Sequence, residues 1–280
     1  MGHGTLIGMT TAVESTELPV ASTEDTVDYL IDGARRRVPA VPLRRTFLQQ
    51  HDPTGGHIVP GPLATLVAAG DLTGLRLYLL LLARASGEPW NVHLPAAVWA
   101  RALGIALPTS KTATSTISKA WLRLVRHLLV QRGRYKRMAD VTLLCEDGSG
   151  LPYTAPGASG ESYLRIPLAL WRQGPDEGGR WYQVLTLPEL AVLLIARGNG
   201  DHFRLPFEVA PTWYGLSADS VARGVRGLHR HGLLSIDKTF KKAPLSPVGY
   251  TAEHRYTLLA PMGPVGKLSR SSRLAPGGAS

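Results

Sequence analysis

The chain has 280 residues, with 31 Lys and Arg against 21 Asp and Glu, for a formal net charge of +10. That length suffices for two units that each bury a core, and the balanced composition excludes a fibrous or wholly disordered chain. The basic excess points to a polyanionic partner, and the single cysteine, Cys145, excludes an intramolecular disulfide and a Cys-rich zinc site and fits a reducing, cytoplasmic compartment.

Residues 1–45 read as a disordered tail and basic arm. Glu14, Glu17, Glu24, Asp25, Asp28 and Asp32 crowd its first part; Arg35-Arg36-Arg37 and Arg44-Arg45 follow, either to grip phosphates or as a solvated linker. No basic run leads into an apolar segment at the N-terminus, so no signal peptide is expected. The most apolar run, 75–83, contains Arg76 and is far shorter than the ~20 residues that span a bilayer, so no membrane partner is expected.

A first unit is expected over 63–147. Residues 63–85 read as helical, broken near Gly70-Asp71 with Asp71 placed to cap the second piece. A short extended run at 90–94 precedes a helix opened by Pro95 and carrying Val98, Trp99 and Ala102 to Gly104. A polar stretch leads to a second helix with Ile117, Trp121, Leu124 and Leu128 as its apolar stripe, then an extended run, a loop at 133–137 and a strand over 139–145. Residues 148–162, rich in Gly and Pro, read as a flexible linker.

The second unit is expected over 163–260. A strand and short helix fall within 163–171, and a helix over 181–195 has Pro188 near its start. A short helix ends at Trp213-Tyr214-Gly215, and Ser217 caps the next. There Val221, Val225 and Leu228 form the buried stripe, with Asp219, Arg223, Arg226, Gly227 and Arg230 opposite. Gly232 stops it, and extended runs at 234–240 and 254–259 make a two-stranded ribbon. Residues 261–280 read as a disordered basic tail.

The two units match in order. Residues 79–84 correspond to 192–197, Leu94-Pro95 to Leu205-Pro206, and Gly104 to Gly215. Ile117, Trp121, Leu124, His127, Leu129 and Val130 correspond to Val221, Val225, Leu228, His231, Leu233 and Leu234. The first copy holds seven extra residues between Gly104 and Ile117. Short helix, glycine turn, second helix and ribbon, twice over, define the expected fold class: α+β, mainly α, with two tandem winged helix-turn-helix domains and disordered termini.

The functional signal is the sorting of charge. Between Glu88 and Asp140 there is no acidic residue, whereas basic residues are frequent. Lys119 and Arg126 project away from the apolar stripe with Arg123 beside them, Thr114 and Ser115 lie near the helix start, and Arg134, Lys136 and Arg137 sit at the expected wing tip. In the second unit the candidates are Ser217, Asp219, Ser220, Arg223, Arg226 and Arg230 on the helix, and Lys238, Lys241 and Lys242 on the wing. A helix with an apolar back and a basic front suits the major groove of double-stranded DNA; a solvated basic face is the alternative. Trp99, Trp121 and Trp213 occupy apolar positions and read as core. His229 and His231 are two apart on a helix and His202 and His254 lack ligand-spaced partners, so no metal is expected. There is no phosphate-binding Gly-Lys-Ser/Thr loop and no nucleophile elbow, so neither a cofactor nor an enzyme is expected.

Trp213-Tyr214-Gly215-Leu216-Ser217, Arg223-Gly224, Leu228 and His231-Gly232-Leu233-Leu234, with a returning wing strand from Gly249-Tyr250-Thr251 to Tyr256-Thr257-Leu258, resemble the bacterial winged helix-turn-helix superfamily, and the Ala, Arg, Gly and Leu content resembles actinobacterial proteins. The paired layout over 63–260 is similar to replication initiators of small plasmids, which place two winged helices on iterated DNA sites. The resemblance implies a sequence-specific DNA-binding protein: a transcriptional regulator or a replication initiator, with a protein-interaction module as the third possibility. The two units would act as a covalent pseudo-dimer on direct-repeat half-sites.

Overall fold

The computed structural model describes residues 20–34, 36–52, 54, 56–105, 111–136, 138–157, 160–176, 178–205 and 207–264 as an α+β fold of short helices and small antiparallel sheets. Residues 1–19, and the tail from 265 on, lie outside the described part. The stretch 20–45, however, is folded rather than a tail and arm. Ser22 caps helix α1 (Thr23–Asp32): its hydroxyl accepts from the Asp25 amide and the Asp25 carboxylate accepts from the Ser22 amide, both at 3.0 Å. Val27, Leu30 and Ile31 bury one face of α1. Its acids serve partners distant in the chain, Asp28 accepting two bonds from Arg180 at 2.7 and 2.9 Å and Asp32 pairing with Arg172. The arginines are equally committed. Arg36 donates to the carbonyls of Leu82, Ala83 and Ala85, closing the C-terminal end of α3 (Leu72–Arg84), and Arg44 is buried against Glu146 and Thr154.

In the first half, β1 (Ala40–Arg44) and a 3-10 turn (Arg45–Phe47) lead through a hairpin of β2 (Gln49–His51) and β3 (Ile58–Pro60) to α2 (Pro62–Ala68) and α3. The α2–α3 break falls at Gly70, and Asp71 caps α3 by accepting from the Gly74 amide at 2.8 Å, as expected. β4 (Asn91–Leu94), α4 (Ala96–Ala102), α5 (Lys111–Arg126), β5 (Val130–Tyr135) and β6 (Met138–Leu143) follow, with β4 pairing on β6 so that the sheet runs β4-β6-β5. Ala113, Ile117, Ala120, Trp121 and Leu124 bury α5, and Trp99 of α4 meets Trp121 edge to face at 5.4 Å. Leu128 is not part of that stripe. It lies past the helix end with φ 54° and its side chain is exposed. Most of the extra loop before α5 falls on 106–110, outside the described residues.

The second half runs β7 (Tyr163–Pro167), α6 (Ala169–Arg172), α7 (Trp181–Val184), α8 (Leu187–Asn199), α9 (Ala210–Tyr214), α10 (Ala218–Arg230), β8 (Leu234–Lys242) and β9 (Tyr250–Leu258). The single helix expected over 181–195 is two, because Glu189 reaches back to the Thr186 amide at 2.7 Å and starts α8 afresh. Gly227 is on the buried side of α10, not with the arginines: a β-carbon there would lie 1.8 Å from the Glu189 carboxylate, and one on Gly224 would lie 2.5 Å from the Pro188 carbonyl. Two glycines thus set how closely α10 approaches α8. In place of β4 this half has, among the described residues, an isolated bridge from Phe203 to Tyr256.

The halves repeat down to backbone hydrogen bonds. Leu129 donates to Leu124 and Leu233 to Leu228 after the long helix; Leu144 donates to Leu129 and Leu259 to Leu233 where the hairpin returns. Val130 pairs with Leu143 as Leu234 pairs with Leu258. They also pack reciprocally. β1 and β7, which open the two halves, pair antiparallel from Ala40–Pro167 to Arg44–Tyr163. α7 covers the turn after α4, the Tyr182 hydroxyl donating to the Ala102 carbonyl and Gln183 lying over Gly104. α2 covers the turn after α9, where a β-carbon on Gly215 would meet Ala64 at 2.5 Å. Like pairs with like and each gives what it receives, the signature of an approximate two-fold axis.

The stretch 148–162 is packed rather than a flexible tether, which corrects the expectation of a linker there. In 148–162, Leu151 accepts from the Cys145 amide at 2.8 Å, Tyr153 is buried and the Thr154 carbonyl accepts from Arg44 at 2.9 Å. Gly148 and Gly150, read as flexibility, are tight turns at φ 77° and 79°. One contiguous apolar core runs from Val27 to Met262, the latter within the stretch expected as a disordered tail.

Candidate nucleic-acid interface

The exposed face of α5 follows from its buried one. With Ile117, Ala120, Trp121 and Leu124 turned to the core, Thr112, Ser115, Lys119, Leu122 and Arg126 recur at three- and four-residue intervals along the opposite side, with Lys111 at its start. Lys119, Arg126 and Ser115 are therefore placed as expected. Thr114 is half-buried and its hydroxyl donates to the Lys111 carbonyl at 3.0 Å. Arg123 departs from the expectation. Its guanidinium makes two 2.6 Å bonds to Asp71, the nearly buried cap of α3, and these bonds push its pKa further up. It fastens α5 to α3 rather than facing a ligand. The acid-free interval was real, but the acid that answers Arg123 comes from outside it.

On α10, Asp219, Arg223, Arg226 and Arg230 share the exposed face. Arg223 pairs with Asp219 at 3.1 Å one turn back and donates to the Ser220 hydroxyl at 3.2 Å, leaving Arg226 and Arg230 as the cations of that face with no acidic partner among the described residues. Ser217 is occupied as the cap, accepting from the Ser220 amide at 3.2 Å.

Both hairpins sort charge between their faces. Residues alternate sides along a strand, so Arg132 and Arg134 share the side of β5 that begins with buried Val130, and Lys238, Phe240 and Lys242 share the side of β8 that begins with buried Leu234. Their directly paired neighbours on that side are Val141 and Ala139 in the first hairpin, and His254, Ala252 and Tyr250 in the second; none is acidic. The acids lie on the other side. Asp140 is paired across from Gly133 and held by Asn91 and His93 at 3.2 Å. Glu253 gathers Arg204, Lys241 at 2.9 Å and Arg255 at 3.4 Å. Lys241 is therefore on the neutralised face and apart from Lys238 and Lys242. Lys136 takes the tight turn of the first hairpin at φ 54°, its ammonium 5.6 Å from the Tyr135 ring centre; Arg137 lies outside the described residues.

Sequence reasoning counted Lys111 and Arg132 among the basic residues of the acid-free interval without placing them on a face, and it did not single out Thr112 and Leu122 on α5 or the aromatic pair Phe240 and Tyr250 on the second hairpin. Alternation at Arg132-Arg134 and Lys238-Phe240-Lys242 is the signal that carries them, once the strand register is known. Among the described residues no three His, Cys, Asp or Glu side chains gather as a metal site, and no helix is long and apolar enough to cross a membrane. No protein-family model and no curated protein matches this chain.

Proposed function

We propose that the chain binds double-stranded DNA sequence-specifically through two winged helix-turn-helix units, α4–α5 with the β5–β6 wing and α9–α10 with the β8–β9 wing. The observation that carries this reading is that both wings turn an acid-free basic face to the core side while their acids lie on the other, Asp140 beside Asn91 and His93, and Glu253 among Arg204, Lys241 and Arg255. A merely soluble surface has no reason to repeat that sorting in two hairpins of different length and sequence. Arg126 and Lys119 on α5, and Arg226 and Arg230 on α10, would enter major grooves, with the wings along the flanking backbone. The reciprocal packing of the halves supports inverted rather than direct-repeat readers, with half-sites that differ in sequence because the two helices do.

The test is binding of the full chain to random-sequence duplexes across a salt series. Several phosphate contacts give a slope of about −4 or steeper in log K against log salt. A slope near zero assigns the basic faces to solvation and leaves the protein-interaction reading. A regulator of transcription and a replication initiator use the same contacts, and mapping of enriched sites separates them: isolated promoter sites for the first, an iterated array for the second.

A further inference from the structure

The second hairpin is longer than contact with the body requires. β8 and β9 are nine residues each, against six in β5 and β6, and burial ends near Ile236 and Tyr256. Beyond that point the ribbon overhangs, and what it presents is apolar as well as basic. On the core-side face Phe240 and Tyr250 meet edge to face at 5.3 Å while remaining 60% and 47% exposed, and Lys238 lies 5.2 Å from the Phe240 ring centre.

The tip is apolar too. Leu245 is fully exposed and Val248 is 64% exposed, each beside a proline, Pro244 and Pro247. The loop that carries them is ordered by its own hydrogen bonds: Ala243 to Gly249 at 2.9 Å, Ser246 to Ala243 at 2.8 Å, and the Ser246 hydroxyl to the Tyr250 carbonyl at 3.0 Å. No described residue covers these side chains, and an ordered loop that adds Leu245 and Val248 to the exposed Phe240 and Tyr250 on one ribbon offers an apolar contact surface.

Charge selects that surface. With Lys241 held by Glu253, the apolar tip is flanked by Lys238 and Lys242 and by no acid from Lys238 to Ala252, so the surface it meets is anionic, and on the DNA-binding reading that surface is the duplex. Apolar wedges flanked by lysines are what minor-groove proteins insert between base steps. We infer that the β8–β9 hairpin is a minor-groove wedge: Leu245 and Val248 press into a base step and partly unstack it, Phe240 and Tyr250 line the groove wall, and Lys238 and Lys242 hold the flanking phosphates. The inference rests on the DNA-binding reading and adds to it a bend in the bound duplex.

The experiment measures end-to-end fluorescence transfer in short duplexes enriched on the full chain, with 2-aminopurine substituted along the site. The wild type should bend the duplex by roughly 20–90° and brighten 2-aminopurine at one step. Leu245→Ser with Val248→Ser should abolish both signals and weaken binding by roughly tenfold with an unchanged salt slope, since a buried apolar contact is lost and no charge is removed. Both positions are exposed, so an unchanged melting temperature should accompany the loss. Lys238→Gln with Lys242→Gln should instead lower the slope by about 2 and keep the bend. Tight, straight binding by the wild type, or a bend that survives the double serine change, overturns the wedge while leaving DNA binding intact. Loss of self-association on the serine change, with no DNA effect, overturns it in favour of a contact between copies. Absence of any duplex binding removes both readings together.

Discussion

Arg123 and Lys119 stand four residues apart on α5, and what they touch separates them. Arg123 satisfies Asp71, a carboxylate that is only 6% exposed and also caps α3, so Arg123→Ala should destabilise the protein by roughly 1–3 kcal/mol, read by urea melting. Lys119→Ala should leave stability within about 0.5 kcal/mol and, on the DNA-binding reading, reduce the salt slope of binding by about 1. A stability loss at Lys119 and none at Arg123 would reverse the assignment. A second residue-scale prediction concerns Arg44 and Glu146, both within the core. Burial pushes the Glu146 carboxyl up from its ordinary range despite the guanidinium beside it. Removal of one partner, as in Arg44→Ala, should cost about 3–5 kcal/mol, whereas Arg44→Met with Glu146→Leu should recover most of that in the same melts. Neither role was legible in the sequence. Helical projection puts Arg123 near the exposed face and a run of arginines looks like a solvated arm, because local spacing says nothing about an acid that tertiary folding brings in.

Elements were read more faithfully where their signals are local. The Asp71 and Ser217 caps, the α2–α3 break and the returning strand through Tyr256 all rest on a few neighbouring residues. α1 was missed because its stripe of Val27, Leu30 and Ile31 is short and sits among charges whose partners, Arg172 and Arg180, lie in the other half. The wing faces were legible only in alternation, since their register depends on pairing. The left-handed position after each long helix offers a test of the repeat. Leu128 occupies it at φ 54° where Gly232 occupies it at φ 68°. Gly232→Ala should destabilise by roughly 1 kcal/mol, and Leu128→Gly should stabilise by less, because Leu128 also lies against Gly150. Thermal melts of the two variants should move in opposite directions. Gly227→Ala is a harsher change, since its β-carbon would collide with Glu189; roughly 1–3 kcal/mol of overpacking should separate α10 from α8, to be read as a lowered melting temperature.

For the molecule as a whole, reciprocal packing predicts a single cooperative unfolding transition. β1 needs β7, α7 needs the turn after α4, and α2 needs the turn after α9, so neither 63–147 nor 161–262 carries a complete core. Calorimetry of the full chain should give one peak, and the two fragments expressed separately should lack cooperative melts; two peaks, or a well-folded fragment, would show the halves to be independent. The same packing has a consequence for dose. A two-fold reader assembled from separate subunits must first meet its partner, so at low supply its occupancy rises with the square of protein concentration. Here the second half arrives already docked on the first through the β1–β7 ladder. On the DNA-binding reading, occupancy of a single site should follow the first power of concentration with a Hill coefficient of about one, so that a few molecules per cell act without a threshold.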